Sequence, residues 1–372
     1  MHRCLLAFAL VLAACSSDPD PAATGSGAAG GGAPAAGSGG TGAAGAQGSG
    51  ASSSGGASSG GAGAAGAAGG AGGGEPVDPT FSFVVIPDTQ NETLNDNNTA
   101  NHFVPRIQWI LDQKDALDIR FVLQTGDLCN WDTPTHDQYE RASGGLEAFD
   151  AAGMLYALAI GNHDTAATCT GGSACPGDVN ANLRNTSTFN SYFPTSRFPW
   201  LTDTFEADKV DNATFEIEAG GLKWLIVSME LWPRTEAYQW IGQVLADHPT
   251  HNAIVFTHDH LTGSGDINQS NGGYGDNSPQ TVFDEVLSQH ENVRFVFSGH
   301  EGKVAFRQDA GVNGNPIHQF LFNIDDASNP TRVVQIDTAA RTIDAYVYGP
   351  ATDETYDDPG ATVSLTDVDF VD

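Results

Sequence analysis

The sequence contains few basic residues for its length. Its 372 residues include 15 lysines and arginines against 46 aspartates and glutamates, which gives a formal charge of −31 at pH 7. A surface this acidic repels nucleic acid and anionic lipid, so the composition argues against a non-specific binder of polyanions. We therefore expect no nucleic-acid partner. A small polyanionic substrate is compatible with the chain only if metal ions reverse the local charge.

The N-terminus lacks an apolar run long enough to cross a bilayer. Residues 5–14 form an apolar run of about ten residues, which suits the core of a signal peptide. The run ends in Leu12-Ala13-Ala14-Cys15, which resembles the lipobox of bacterial lipoproteins, where the cysteine is acylated and becomes the mature N-terminus. An ordinary signal peptide with a chance cysteine is the alternative. The resemblance implies a signal peptide over residues 1–15 and a lipid anchor at Cys15. Ser16 after the cysteine favours the outer membrane.

Cysteine is also scarce, with five residues in the chain. Cys4 would leave with the signal peptide and Cys15 would carry lipid, which leaves an odd number for the folded part. Cys169 and Cys175 flank a short glycine-containing loop, and we expect a disulfide between them. Cys129 would then be a free, buried thiol. No four-ligand zinc spacing is present, so a structural zinc site is not expected.

Residues 16–74 contain 23 of the 45 glycines, and their only charges are Asp18 and Asp20. Such a Gly/Ala/Ser-rich segment cannot bury enough apolar area to offset the entropy lost on ordering. We expect a disordered tether over residues 16–74 and one large α/β domain over residues 75–372.

The second part of the chain alternates between strand and helix patterns. Short β-branched and aromatic runs predict strands, and apolar residues at helical spacing predict helices between them. A Gly220-Gly221 pair between two apolar runs predicts a β-hairpin. The predicted strands are 81–86, 120–125, 154–160, 215–219, 222–229, 253–257 and 293–297, with further strands after residue 303. This alternation predicts a mixed-sheet α/β domain.

Polar residues follow five of these strands. Carboxyl ends of parallel strands converge at one edge of a sheet, so these residues are expected to share a site. Each alone is explained as a turn or loop residue, but five such endings in one chain indicate a common function. Glycine before three of them would let the backbone turn sharply. The five endings are Asp88-Thr89-Gln90, Gly126-Asp127, Gly161-Asn162-His163-Asp164, His258-Asp259-His260 and Gly299-His300.

In this order and strand context, the pattern resembles the calcineurin-like metallophosphoesterases. That family carries Asp-x-His, Gly-Asp, Gly-Asn-His-Asp/Glu, a later lone His, and Gly-His-x-His. The resemblance covers about 220 residues and implies an α/β fold, a four-layer α/β/β/α sandwich of two mixed β-sheets. It also implies metal-dependent hydrolysis of phosphate esters by a metal-bound hydroxide.

The chemistry of two metal ions assigns roles to these residues. Two cations about 3.5–4 Å apart can clamp a phosphate and lower the pKa of a water. Asp127 suits the bridge between them, because one carboxylate has two oxygens. Asn162, His258 and His300 would complete the second metal's ligands. By resemblance, His163 protonates the leaving group, and we expect Asp164 to orient it.

The first metal site departs from the family pattern, because Gln90 and Gly302 stand where imidazoles are expected. Asp88, Asp127 and the amide of Gln90 form an all-oxygen set. We therefore expect a weak first site for Mn²⁺, Mg²⁺ or Ca²⁺, and a second site for Mn²⁺, Zn²⁺ or iron. Glu301 and His318 are two candidates to replace the missing imidazole.

Two functions of different classes stay open. The first is a phosphoesterase, acting on a small phosphorylated substrate, with monoester and diester undecided. The second is a non-catalytic metal- or ligand-binding surface module on the same fold. A serine hydrolase is disfavoured, since no Gly-x-Ser-x-Gly motif occurs. We expect an extracytoplasmic, membrane-anchored monomer.

Overall fold

The structure is a computed structural model that describes residues 78–94 and 103–372. The expected signal peptide, the acylated Cys15 and the glycine-rich tether lie outside the described residues. Among the described residues, no helix combines the length and the apolar character needed to span a membrane.

The strands follow the apolar runs of the sequence. They are β1 (Thr80–Ile86), β2 (Ile119–Gln124), β3 (Tyr156–Leu158), β4 (Leu201–Thr204), β5 (Ala213–Ala219), β6 (Leu222–Ser228), β7 (Asn252–Phe256), β8 (Val293–Ser298), β9 (Val304–Ala310), β10 (Pro316–Phe322), β11 (Thr331–Asp337), β12 (Thr342–Gly349), β13 (Glu354–Thr355) and β14 (Val363–Leu365). The expected hairpin is present as β5 and β6, which pair antiparallel across Gly220-Gly221.

The helices lie mainly between these strands. They are α1 (Gln90–Thr93), α2 (Phe103–Gln113), α3 (Asp137–Ala152), α4 (Val179–Leu183), α5 (Ser187–Tyr192), α6 (Thr235–Asp247) and α7 (Pro279–Glu285). Two short 3₁₀ turns cover Thr195–Arg197 and Leu287–Gln289. Helix α2 buries Phe103, Ile107 and Ile110 along one face, as their helical spacing predicts.

The strands form two mixed sheets. The first has the order β13-β12-β11-β1-β2-β3, with β14 also paired to β12, and β1, β2 and β3 run parallel. The second has the order β4-β5-β6-β7-β8-β10-β9, and β6, β7, β8 and β10 run parallel. The parallel strands of each sheet carry the five polar endings.

The two sheets pack face to face through aromatic side chains. Phe81 and Phe83 of β1 each contact Trp224 of β6, with ring centroids 5.4 Å apart. Because side chains alternate along a strand, Val84 and Ile86 face the opposite side, where they are fully buried. Helices α2 and α3 contribute to that apolar cluster, and α6 and α7 cover the outer face of the second sheet. The expected α/β/β/α sandwich of two mixed sheets is confirmed.

Candidate metal centre

The carboxyl ends of the parallel strands in the two sheets meet at one site. Asp88 follows β1, Asp127 follows β2 and Asn162 follows β3, while His258 and His300 follow β7 and β8. Ligand atoms of Asp127, His258 and His300 all lie within 4.8 Å of one another. Two sheets therefore contribute to a single group of metal-ligating side chains, as convergence at strand ends predicts.

Glycine is needed where these segments approach each other. A Cβ atom on Gly161 would lie 2.0 Å from Asp127 Oδ1, and one on Gly299 would lie 2.3 Å from Asp88 Oδ1. Both distances are shorter than any tolerated contact. The glycines therefore let the backbone of one ligand-bearing loop pass directly against the carboxylate of another.

His258 is fixed in one orientation at the centre of the group. Its ring is fully buried, and Nδ1 lies 2.9 Å from the carbonyl oxygen of Thr125. That contact assigns the proton to Nδ1 and leaves the Nε2 lone pair for another partner. Nε2 lies 3.2 Å from Asp127 Oδ2 and 3.0 Å from Nδ1 of His300. Asp127 Oδ2, His258 Nε2 and His300 Nδ1 thus point at one another, an arrangement that suits a cation once the proton on His258 Nε2 is displaced.

Two amide side chains support the same conclusion. The side-chain oxygens of Gln90 and Asn162 are buried and have no hydrogen-bond partner in the structure. A buried polar atom without a partner is unusual and calls for an explanation such as an ion. Both residues belong to the expected ligand set, and both offer an oxygen, the ligand type suited to hard and borderline divalent ions. The residues present therefore fit a divalent cation at Asp127, His258 and His300.

Asp88 lies between the two sheets at the edge of this group. Its Oδ1 accepts a hydrogen bond from the backbone N–H of His300 at 3.3 Å and lies 3.8 Å from Nδ1 of His258. Its Oδ2 accepts a hydrogen bond from Nδ2 of Asn323 at 2.7 Å. Both carboxylate oxygens of Asp88 are therefore already oriented by the protein.

The buried charges shift one another's pKa values. Burial raises the pKa of Asp88 to about 8, and the charge of His258 opposes part of that shift. Burial alone would lower the pKa of His258, but Asp127 and Asp88 outweigh it and raise that pKa to about 10. Burial alone would raise the pKa of Asp127, but His258 and His163 hold it well below its usual range. Burial lowers the pKa of His300 to about 4.

His163 is held against the metal-ligating group by its backbone and its ring. Its backbone N–H donates to Asp127 Oδ1 at 3.0 Å, and its ring Nδ1 is hydrogen-bonded to the carbonyl oxygen of Asn130. A carbonyl only accepts, so Nδ1 carries the proton and Nε2 is the ring atom left for proton exchange. The ring is half-buried, which leaves it open to a substrate.

The expectation that Asp164 orients the ring of His163 is wrong. The Asp164 carboxylate instead accepts hydrogen bonds from the backbone N–H groups of Leu128, Cys129 and Gly161 at 3.0–3.2 Å. Asp164 therefore ties the loop after β2 to the loop after β3.

His318, one candidate to replace the missing imidazole, does not reach the metal-ligating group. His318 pairs with Phe295 on β8, three residues before that strand ends, and its ring lies against Phe295 and Phe306. Burial there lowers the pKa of His318 to about 4. The Glu301 carboxylate lies beside Gly263, where a Cβ atom would be 3.6 Å from Oε2.

Sequence reasoning missed two partners in the site, Asn130 and Asn323. Asn130 acts through its backbone carbonyl, for which the sequence carries no signal. Asn323 directly follows β10, so the rule that found the other five residues, a polar residue after a strand, also applies to it.

The remaining site prediction concerned the cysteines. Cys169 and Cys175 form a disulfide in the structure, and Cys129 is free and buried.

The chain is similar in sequence to one bacterial protein and in structure to several phosphatases. No protein-family model matches the sequence. The chain is 26% identical over 286 residues to the uncharacterized protein YvnB of Bacillus subtilis, in a match covering 74% of this chain and 20% of that protein. The chain thus spans about a fifth of the length of this relative.

Among solved structures, the chain is similar to a dimetal phosphatase from Danio rerio, with a TM-score of 0.48 and 14% identity over 78% of this chain and 99% of that chain. It is also similar to a purple acid phosphatase from yellow lupin, with a TM-score of 0.49 and 14% identity over 78% of this chain and 55% of that chain. A calcineurin-like phosphoesterase from Bacillus subtilis, YfkN, gives a TM-score of 0.37 and 12% identity over 77% of this chain and 90% of that chain. The case for a metal centre here stands on the contacts described above.

Proposed function

We propose that the chain is a calcineurin-like metallophosphoesterase, which hydrolyses phosphate esters with two divalent cations. The observation that carries this proposal is the convergence of Asp127, His258 and His300, whose ligand atoms all lie within 4.8 Å of one another. The buried, unpartnered amide oxygens of Gln90 and Asn162, in the segments that follow Asp88 and precede His163, support it. Amide oxygens are ordinarily satisfied when buried, and a cation would satisfy both.

Each cation would have its own ligands and share one. Asp88, Gln90 and Asp127 would hold the first cation, and Asp127, Asn162, His258 and His300 would hold the second. Asp127 suits the shared position, because Oδ1 faces the backbone of His163 and Oδ2 faces His258. When bound, such a pair of cations supplies Lewis-acid stabilisation of phosphoryl charge and lowers the pKa of a water.

His163 would protonate the leaving oxygen of the ester. The hydrogen bond from its Nδ1 to Asn130 fixes the ring and leaves Nε2 as the atom that passes the proton. After hydrolysis, Nε2 would recover a proton from water. The acidic surface favours a small phosphorylated substrate over a long nucleic acid.

A non-catalytic metal-binding module is the second candidate function. The absence of imidazoles at Gln90 and Gly302 favours it, since the first cation then has only oxygen ligands. The oriented ring of His163 favours the enzyme, because a protein without a leaving group to protonate has no need for it.

The test is release of p-nitrophenol from mono- and bis-p-nitrophenyl phosphate by chelator-treated protein, with Mn²⁺, Mg²⁺, Ca²⁺ or Zn²⁺ restored separately. We expect turnover with at least one ion, little without added ion, and loss of activity in Asp127→Asn. No turnover with any of the four ions, from folded protein that binds them, would favour the binding module.

A further inference from the structure

Asn323 lies beside Asp88 at the edge of the metal-ligating group. It directly follows β10, whose Leu321 pairs with Ser298 at the end of β8. Its backbone N–H donates to the carbonyl of Lys303 at 2.8 Å, so it sits across from the residue after Gly302. Its side chain is 9% exposed, and Nδ2 lies 2.7 Å from Oδ2 of Asp88.

Gly302 has no side chain that could bind a cation. The residue is exposed, and a Cβ atom built on it meets no atom within 4 Å. The side chain of Asn323 does reach Asp88, and it approaches from the adjacent strand of the same sheet.

We propose that Asn323 is an oxygen ligand of the first cation and replaces the imidazole that position 302 lacks. This inference rests on the proposed function. The two ends of an amide have the same shape, and a half-turn about χ2 exchanges Oδ1 with Nδ2. In the structure, Nδ2 is the end of the amide that faces Oδ2 of Asp88. With a cation against Oδ2 of Asp88, the amide oxygen is the favoured end.

The distance supports this exchange. The terminal atom of Asn323 lies 2.7 Å from Asp88 Oδ2. Oxygens on adjacent corners around an octahedral hard cation lie about 3 Å apart, for metal–oxygen distances of about 2.0–2.1 Å. With Asp88, Gln90 and Asp127, Asn323 completes a set of four protein residues that all offer oxygen, which selects Mn²⁺, Mg²⁺ or Ca²⁺ over Zn²⁺.

The experiment measures cation binding rather than activity alone. Calorimetric titration of chelator-treated, full-length protein with Mn²⁺ is combined with electron paramagnetic resonance of free Mn²⁺, for the native protein and three variants. Asn323→Ala removes the amide, and Asn323→Asp keeps an oxygen but loses the N–H donor. Asn315→Ala is the matched control: this buried asparagine precedes the same strand, and its amide donates to the His290 carbonyl at the opposite end. Thermal unfolding in chelator checks that each variant folds.

We expect Asn323→Ala to weaken the first cation about 10–100-fold and leave the second within about twofold. Asn323→Asp should bind the first cation at least as tightly as the native protein does. The control Asn315→Ala should bind both cations with the affinities of the native protein. Unchanged affinity in Asn323→Ala would overturn the proposal while the proposed function stands. Weak binding in Asn323→Asp, equal to Asn323→Ala, would also overturn it, because Asn323 would then act only as a donor to Asp88. If the native protein binds no cation and releases no p-nitrophenol, the proposed function itself fails.

Discussion

Proton release on metal binding gives a quantitative test of the site. In the cation-free protein, the pKa of Asp88 is raised to about 8 and that of His258 to about 10, so both carry a proton at pH 7. A cation must displace those protons, because ligands bind in their deprotonated form. Binding two cations at pH 7 should therefore release about two protons. With the ordinary pKa values of 3.8 for Asp88 and 6.5 for His258, the same residues would release only about 0.2 protons.

The sign of the pH dependence follows from the same competition. Each cation displaces one proton, so each affinity should rise about tenfold per pH unit while its ligand is protonated. For the first cation, which competes at Asp88, the rise should level off near pH 8. For the second, which competes at His258, it should continue toward pH 10.

The number of protons released is measured by calorimetric titration with Mn²⁺ at pH 7 in three buffers, PIPES, HEPES and Tris. The apparent binding heat changes with the ionisation enthalpy of the buffer, and the slope of that change is the number of protons released. The variant Asp88→Ala should bind one cation and release about one proton. A release near 0.2 protons in the native protein, or affinities that do not change between pH 6 and 8, would refute the raised pKa values of Asp88 and His258. Two bound cations in Asp88→Ala would refute the assignment of Asp88 as a ligand.

Four further predictions follow from individual residues. His163→Ala should leave Mn²⁺ stoichiometry unchanged and slow turnover about 10²–10⁴-fold with poor leaving groups, but less with p-nitrophenol; full activity toward alkyl phosphates would contradict the assigned role. Asp164→Ala should lower the free energy of unfolding by about 3 kcal/mol or more, since three buried N–H groups lose their acceptor, and a urea titration that shows no loss would contradict this. Gln90→His combined with Gly302→His should shift the first site toward Zn²⁺, seen as a changed Zn²⁺/Mn²⁺ affinity ratio; an unchanged ratio would count against the first-site assignment. Cys15→Ser should release the protein from the membrane fraction of the producing cell, and continued membrane association would contradict the proposed lipid anchor.

The sequence predicted the strands better than the helices. Strands such as β1, β7 and β8 are buried on both faces and appear as continuous apolar runs, which are visible without any knowledge of the fold. Helix α3 was not predicted, because Gly144 and Gly145 lie in its middle and each costs about 1 kcal/mol relative to alanine. The structure explains Gly145: a Cβ atom there would lie 2.6 Å from the ring of Phe103 on α2. Close packing of two helices therefore overrides the local propensity.

The residues of the candidate site were predictable where a side chain directly follows a strand. They were not predictable where a backbone group orients the side chain or where the strand register sets its position. Asp88, Asp127, Asn162, His258 and His300 all follow strands. The structure groups Asp127, His258 and His300, with Asp88 beside His258. The orientation of His163 depends on the carbonyl of Asn130, which any residue type would provide. The sequence offers His318 as one of two candidates for the missing ligand, but its register opposite Phe295 keeps it inside the sheet.

The most direct test of the central claim is anomalous diffraction at the manganese absorption edge, from crystals of the protein grown with Mn²⁺ and phosphate. The proposed function predicts two anomalous peaks that share Asp127, one beside Asn162, His258 and His300 and the other beside Asp88 and Gln90. Phosphate oxygens should lie against both peaks. A single peak, or peaks away from Asp127, would contradict a two-cation phosphoesterase site.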